Sequence, residues 1–218
     1  MVKHTYSNDS QAAQQAAVYL SKLIAPTTNL FFSGGSSADV LVELDSLLSK
    51  EQKQSTSLFM VDERYGPQGH KDSNEHVLDF DTAGYRGIYL ALKDGLDLAQ
   101  TAGNYADLLT NVFKEEDSVN LAILGIGSDD HIAGIKAMDQ EQYDLIFNDK
   151  LYAGYQWEDF DRVTMTPQAL LQIDHAVVFA GASKLDAVKR IDSSVAPSDQ
   201  PSSILTKMPD VQVYCVDN

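Results

Sequence analysis

The stretch Asn120–Ala137, "NLAILGIGSDDHIAGIKA", decides the fold. Its Leu121–Leu124 segment is an unbroken apolar run. A strand with one wet face alternates, whereas an unbroken run fits a strand covered on both faces, as in a parallel sheet. The run ends in Gly125-Ile126-Gly127, followed by Ser128, Asp129, Asp130 and His131. Open parallel sheets collect ligands outside the carboxyl ends of their strands. This chain has five histidines and sets one of them there, behind two carboxylates.

The same strand pattern recurs on both sides of that stretch. Short apolar runs predict strands at Asn29–Ser33, Ser57–Asp62, Gly87–Leu92, Arg162–Thr166, His175–Ala180 and Val211–Val216. Between them, helical periodicity predicts helices over 9–24, 36–48, 98–113 and 183–191. Asp9 or Ser10 is the expected cap of the first, and Pro167 is a good first residue for a helix after Thr166. Strand–helix alternation predicts an α/β fold: a three-layer α/β/α, Rossmann-like arrangement with a mostly parallel sheet flanked by helices. No repeat, low-complexity tract or linker divides the chain, so residues 1–218 are expected to form a single domain.

Bulk composition narrows the function. Sixteen basic against thirty-two acidic residues give a net charge of −16. Nucleic acid and anionic membrane surfaces are poor partners for such a chain, because phosphate backbones require a basic footprint. No apolar run approaches the roughly 18 to 20 residues of a membrane span, and the start "MVKHTYSNDSQAAQQ" has no signal-peptide core. A cytoplasmic location is expected. Cys215 is the single cysteine, so it has no internal disulfide partner.

The segments after each strand carry the chemistry. Ser33-Gly34-Gly35-Ser36-Ser37 opens a helix, so its backbone N–H groups and hydroxyls suit an anion. The same residues also read as a tight turn with a serine cap. After the next strand come Asp62-Glu63-Arg64 and then Lys71-Asp72-Ser73-Asn74. There Asp62 is a candidate base and Arg64 a candidate oxyanion clamp, or the two form a surface salt bridge. His131 titrates near neutral pH, and a neighbouring carboxylate can orient it for proton transfer. Alternatively Ser128, Asp129 or Asp130 caps a helix and His131 is a bystander. One histidine and two adjacent aspartates supply too few ligands for a metal. Lys184, expected in a helix's first turn, is unfavourable for the helix dipole and so more plausible as a ligand contact. The tyrosines and tryptophan of Leu151–Trp157 wall a pocket, or pack in a core or subunit contact.

Taken in order, "SGGS", "DER…DSN", "GIGSDDH", "RVTMTP", "GASK" and the final "PSSIL…VQVYCVD" resemble the 6-phosphogluconolactonase family. That family belongs with the glucosamine-6-phosphate deaminases/isomerases in one sugar-phosphate superfamily. The resemblance runs from about Asn29 to Val216. It implies an enzyme without cofactor or metal that hydrolyses 6-phospho-D-glucono-1,5-lactone to 6-phosphogluconate in the pentose phosphate pathway; a monomer or homodimer is expected. Carried over residue by residue, it implies His131 as the catalytic histidine and Asp129 and Asp62 as acidic active-site residues. Ser33, Gly34, Gly35 and Ser36 would form the loop near the phosphate and hydroxyls, with Arg64, Arg162 and Lys184 as phosphate-binding cations.

The chain departs from both branches. The deaminase branch has a glutamate five residues beyond the histidine, where this chain has Lys136, and "DEY" where it has "DER". The lactonase branch usually has glycine where this chain has Asp130. A carboxylate there is expected to add negative charge beside an anionic substrate, and its replacement by glycine to raise activity. The alternatives are a glucosamine-6-phosphate deaminase/isomerase and a non-catalytic sugar-phosphate-binding protein.

Overall fold

The computed structural model describes residues 1–217. Among the described residues there are ten strands: β1 Val2–Tyr6, β2 Thr28–Phe32, β3 Thr56–Met60, β4 Asp62–Arg64, β5 Gly87–Tyr89, β6 Val119–Gly125, β7 Tyr152–Tyr155, β8 Arg162–Met165, β9 His175–Ala180 and β10 Val211–Val216. The helices are α1 Asp9–Ser21, α2 Ala38–Leu47, α3 Lys50–Ser55, α4 Leu98–Val112, α5 Gln140–Phe147, α6 Pro167–Leu170 and α7 Leu185–Arg190.

Seven strands form one sheet in the order β1-β10-β9-β6-β2-β3-β5. Every neighbouring pair in it is parallel. All five residues of β2 and all five of β3 are buried, which is why their sequences do not alternate. Leu30 aligns with Leu58 on one side and Leu121 on the other, so the central strands present one apolar layer. Phe31 stacks between Phe59 and Phe113, with ring centroids 5.1 and 5.6 Å away. The asparagines that begin "NLFF" and "NLAILG" are register partners. Asn29 Nδ2 donates to Asn120 Oδ1 at 3.1 Å, which satisfies two polar groups at the rim of the apolar layer. At the same strand end Asp210 accepts from Tyr19 and pairs with His175, fixing α1 to β9 and β10.

Several sequence-based expectations need correction. The "RVTMT" strand lies outside the parallel sheet. As β8 it joins β4 and β7 in a separate antiparallel sheet of three strands. The run Ser57–Asp62 is two strands: β3 ends at Met60, and Val61 turns the chain into β4. Val61 N–H donates to Phe32 O at 2.8 Å and its carbonyl accepts from Met165 N–H at 2.8 Å, so this residue joins the two sheets. The first helix starts one residue earlier than expected at its cap: Asn8 accepts from the Gln11 N–H. Ser36–Leu48 is a 3-10 turn, Gly35–Ser37, running into α2, and the helix near 183–191 likewise begins with a 3-10 turn, Ala182–Lys184. Among the described residues no helix starts at His131; the next one is α5, at Gln140. Residues 126–135 instead fold back on themselves through isolated bridges, Ile126 with Ile132 and Ile132 with Ile135.

The sheet order locates a crevice. From β2 the chain moves outward to β3 and β5, and from β6 it moves the other way to β9 and β10. The order therefore reverses between β2 and β6, and the loops leaving their carboxyl ends diverge there. These loops are Ser33–Ser37 and Ile126–His131. Among the described residues no helix is long and apolar enough to cross a membrane.

Candidate functional site

A cleft of about 220 Å³ opens at that reversal. It is lined by Ser33, Gly34, Gly35 and Ser36 from the β2 loop, Gly127 and His131 from the β6 loop, and Asp62, Arg64, Asn74, Arg162 and Lys184 around the rim. All of the sequence-predicted site residues except Asp129 touch this cleft, and Asp129 is bonded directly to one that does.

The β2 loop is held by its own atoms. Ser33 N–H donates to Ile123 O at 3.0 Å, and Ser37 Oγ donates to Gly34 O at 2.8 Å. The serine hydroxyl thus ties the turn together and does not cap α2, which lacks a side-chain cap. Gly35 has φ +67°, a backbone that residues with a side chain rarely adopt. The first N–H groups of the 3-10 turn have no intrahelical partner, as at any helix start, and Gly35 and Ser36, which begin the turn, line this crevice. Ser33 Oγ is buried and without a hydrogen-bond partner among the described residues.

The β6 loop is tighter. Asp130 has φ 65° and Ala133 φ 52°, so left-handed residues bracket His131 and reverse the chain around it. Gly127 N–H donates to His131 O at 2.9 Å, and Asp130 N–H to Gly127 O at 3.1 Å. His131 Nδ1 lies 2.5 Å from Asp129 Oδ1. An ionised carboxylate only accepts, so the proton of this bond sits on Nδ1 and Nε2 is left as the basic nitrogen. Lys136 Nζ donates to the other oxygen, Asp129 Oδ2, at 2.8 Å. Burial pushes the Asp129 carboxyl up, but the hydrogen bond from Lys136 and the charges of His131 and Lys136 outweigh it, and the group stays ionised well below the usual carboxylate range. Burial and the Lys136 ammonium push the His131 imidazole below its ordinary value, against the pull of Asp129 and Asp62.

Asp130 is not among the residues lining the cleft. Its carboxylate turns to Arg190, which donates Nη2 to Oδ1 at 2.7 Å and Nε to Oδ2 at 3.1 Å. The expected negative charge beside a ligand is therefore paired and directed elsewhere.

The acidic wall comes from β4. Asp62 is buried, and burial raises its carboxyl above the usual range against the pull of His131, the Ser33 hydroxyl, Arg162 and Arg64. Asn74 Nδ2 donates to its carbonyl at 3.0 Å and to Oδ2 at 3.2 Å. Asn74 is delivered by Glu63, which accepts from the Asn74 N–H at 2.8 Å and from Ser73 Oγ at 2.7 Å. This links "DER" and "DSN" physically: the middle glutamate fastens the loop whose asparagine braces the first aspartate. Asn74, Glu63 and Lys136 were given no role from sequence, although all three lie in the quoted segments.

Three cations meet the cleft from three directions. Arg64 Nη1 donates to Asp72 O at 2.9 Å and stacks on Phe160 at 5.5 Å. Arg162 is buried; its Nη2 pairs with Asp159, and its Nε has no partner among the described residues. Lys184 stands immediately before α7 without a side-chain cap bond to it, and it has no ion-pair partner among the described residues. Buried polar groups are normally satisfied, so the orphan guanidinium N–H of Arg162 on this cleft fits a polar, anionic ligand, whereas the Ser33 hydroxyl has the Asp62 carboxylate beside it. Among the described residues no group of three or more His, Cys, Asp or Glu side chains is placed to hold a metal ion. The Leu151–Trp157 aromatics sit elsewhere: Tyr155 is buried, donates to Gly134 O and packs edge-on against Trp157.

Comparison with known proteins places this geometry. The chain is 24% identical over 205 residues to a glucosamine-6-phosphate deaminase of Staphylococcus aureus, covering 85% of this chain and 80% of that protein. The 6-phosphogluconolactonase of Shewanella baltica superposes with a TM-score of 0.82 at 18% identity, over 100% of this chain and 98% of the other. That of Thermotoga maritima superposes with a TM-score of 0.80 at 20% identity, over 99% of each chain. At such identities these structures speak for the fold alone. The family model for glucosamine-6-phosphate isomerases/6-phosphogluconolactonase, however, matches residues 7–214, a span that contains β2 to β9 and every residue of the cleft, and on that match the chain belongs to this family.

Proposed function

We propose that this protein hydrolyses 6-phospho-D-glucono-1,5-lactone to 6-phosphogluconate. The observation that carries the reading is the joining, in one cleft, of an Asp129-oriented His131 with three cations on a chain of net charge −16. Water must be deprotonated to attack the lactone carbonyl, and the ring oxygen must be protonated as it leaves. His131 Nε2 takes the first proton and returns it to the leaving oxygen. Asp129 fixes the tautomer that makes Nε2 the base. Arg64, Arg162 and Lys184 bind the remote phosphate and so position the ring for attack. Asp62, braced by Asn74, faces the sugar hydroxyls. No metal or cofactor enters this chemistry, and the site acts within one domain.

A second reading has its own support: the S. aureus relative is named as a glucosamine-6-phosphate deaminase. Lys136 stands where the deaminase branch has glutamate, and it is committed to Asp129. Lactone hydrolysis above the spontaneous rate and ammonia release from glucosamine 6-phosphate, measured on one preparation, separate the two. Ammonia without lactonase activity would overturn the proposal. Ligand-induced thermal shift without turnover in either assay would mean a sugar-phosphate-binding protein.

Two variants test the assignments. Lys184→Ala removes a charge-assisted contact to phosphate, for which about 1.5–3 kcal/mol, or roughly ten- to a hundredfold in KM, is expected with kcat little changed. Titration with 6-phosphogluconate checks the binding part directly; unaltered affinity would remove Lys184 from the phosphate site. Asp130→Gly relieves a left-handed backbone and loses only the paired charge directed at Arg190. Its lactonase rate is expected to change by less than about threefold, as for other substitutions away from a site. A large gain would mean that the Asp130 carboxylate reaches the ligand after all.

A further inference from the structure

Lys136 lies outside the cleft, yet its ammonium is the nearest cation to the His131–Asp129 pair. It stands 2.8 Å from Asp129 Oδ2 and 3.3 Å from His131 Nδ1. The Lys136 side chain is 14% exposed and the Asp129 carboxylate it meets 52%, so the contact is partly screened by solvent and acts through its short distance. The proton on Nδ1 already points to Asp129, so the approach of Lys136 to the ring is that of a cation and not a second hydrogen bond.

The surroundings of His131 otherwise favour its charged form. Asp129 touches it from its own loop, and Asp62 faces it from β4. The opposing charges on the cleft wall, Arg64 on β4, Arg162 on β8 and Lys184 before α7, are the ones a bound phosphate would neutralise. A histidine beside two carboxylates and a phosphate ester would hold its proton at neutral pH and fail as a base. Lys136 is the one cation on this pair that a phosphate in the cleft would not take up.

We infer that Lys136 is a positioning residue that keeps Asp129 ionised and His131 neutral, and thereby sets the pH at which the base works. The inference rests on His131 being the base of the proposed hydrolysis. The loop is built for the contact: Ile135 N–H donates to Ile132 O at 2.9 Å, and Ala133 adopts φ 52°, which returns the chain so that residue 136 lies beside residue 129.

The test is Lys136→Met, compared with Lys136→Arg. In Lys136→Met the acid limb of kcat/KM is expected to move up by about one pH unit, so activity falls more at pH 6 than at pH 8. Lys136→Arg keeps the charge and should retain the wild-type limb. A second readout needs no substrate: the His131 imidazole is titrated by NMR in the free protein, its signal identified by its absence in His131→Ala. It should titrate higher in Lys136→Met by the same amount. If the methionine variant does not fold, Lys136→Gln carries the same expectation. An unmoved His131 titration in a folded variant, or an equal loss of rate at every pH, would overturn the inference. Failure of the lactonase proposal would appear differently, as a wild type without lactone hydrolysis while the His131 titration still moves up in Lys136→Met.

Discussion

His131→Ala should lower kcat for 6-phosphogluconolactone by about 10²- to 10⁴-fold, the usual contribution of a positioned general base. Binding of 6-phosphogluconate should remain nearly unchanged, because the phosphate-binding cations Arg64, Arg162 and Lys184 do not depend on the imidazole. Freshly prepared lactone is required, and the spontaneous rate must be subtracted. A variant as fast as wild type would sink the mechanism, whatever its affinity. The pH dependence carries the same point with a definite sign. Burial and Lys136 hold the imidazole below its ordinary value of 6.5. The neutral, active form therefore persists below pH 6.5, and activity is lost only as pH falls through the lowered value. In His131→Ala this acid limb should disappear from whatever rate survives.

Much of this was legible in the sequence, for a physical reason. Strands buried on both faces cannot alternate, so β2, β3, β6, β9 and β10 stood out as apolar runs. Their ends then pointed to Ser33, Asp62 and His131. Elements whose stability comes from tertiary contacts gave no such signal. β1 is an edge strand with exposed residues, recruited by pairing along β10. β4 has three residues and exists because β8 pairs with it. β8 itself, "RVTM", is fully buried and so read as one more strand of the parallel sheet. Its antiparallel direction follows from pairings at Asp62–Thr164 and Ala153–Thr164, which residue types do not encode. Within the cleft, the charged residues were found by type and position. Those that act through a partner were not: Glu63 matters through Asn74, and Lys136 through Asp129. Asp130 was visible as a departure, but the direction of its carboxylate depends on Arg190, sixty residues away.

Gly127→Ala should cost nearly as much as loss of the histidine itself. A Cβ at this position would lie 2.1 Å from His131 Nδ1 and 2.3 Å from Asp129 Oδ1, distances that real Cβ atoms do not show. The atoms in its way are those of the proposed base and its orienter. Gly127 is not among the positive-φ glycines, so alanine suits its backbone and the fold has no reason to fail. The expected result is a folded protein with the His131–Asp129 bond broken and kcat within about tenfold of His131→Ala, since misplacing a base by about 1 Å already costs on the order of 10²-fold. Gly125→Ala, at the end of β6 on the cleft wall, is the comparison: its Cβ would meet Ser37 at 3.6 and 3.8 Å, ordinary contact, so the His131–Asp129 bond should survive there and the loss of kcat should be much smaller than in Gly127→Ala. The double variant Gly127→Ala/His131→Ala supplies the decisive comparison. Once the imidazole is gone, the added methyl group displaces only the Asp129 carboxylate, which no longer has a base to orient. The double variant should therefore be no slower than His131→Ala alone, the non-additivity of residues acting as one unit. If instead the two losses multiplied, Gly127 would be serving some other step, such as admitting the substrate to the crevice between β2 and β6.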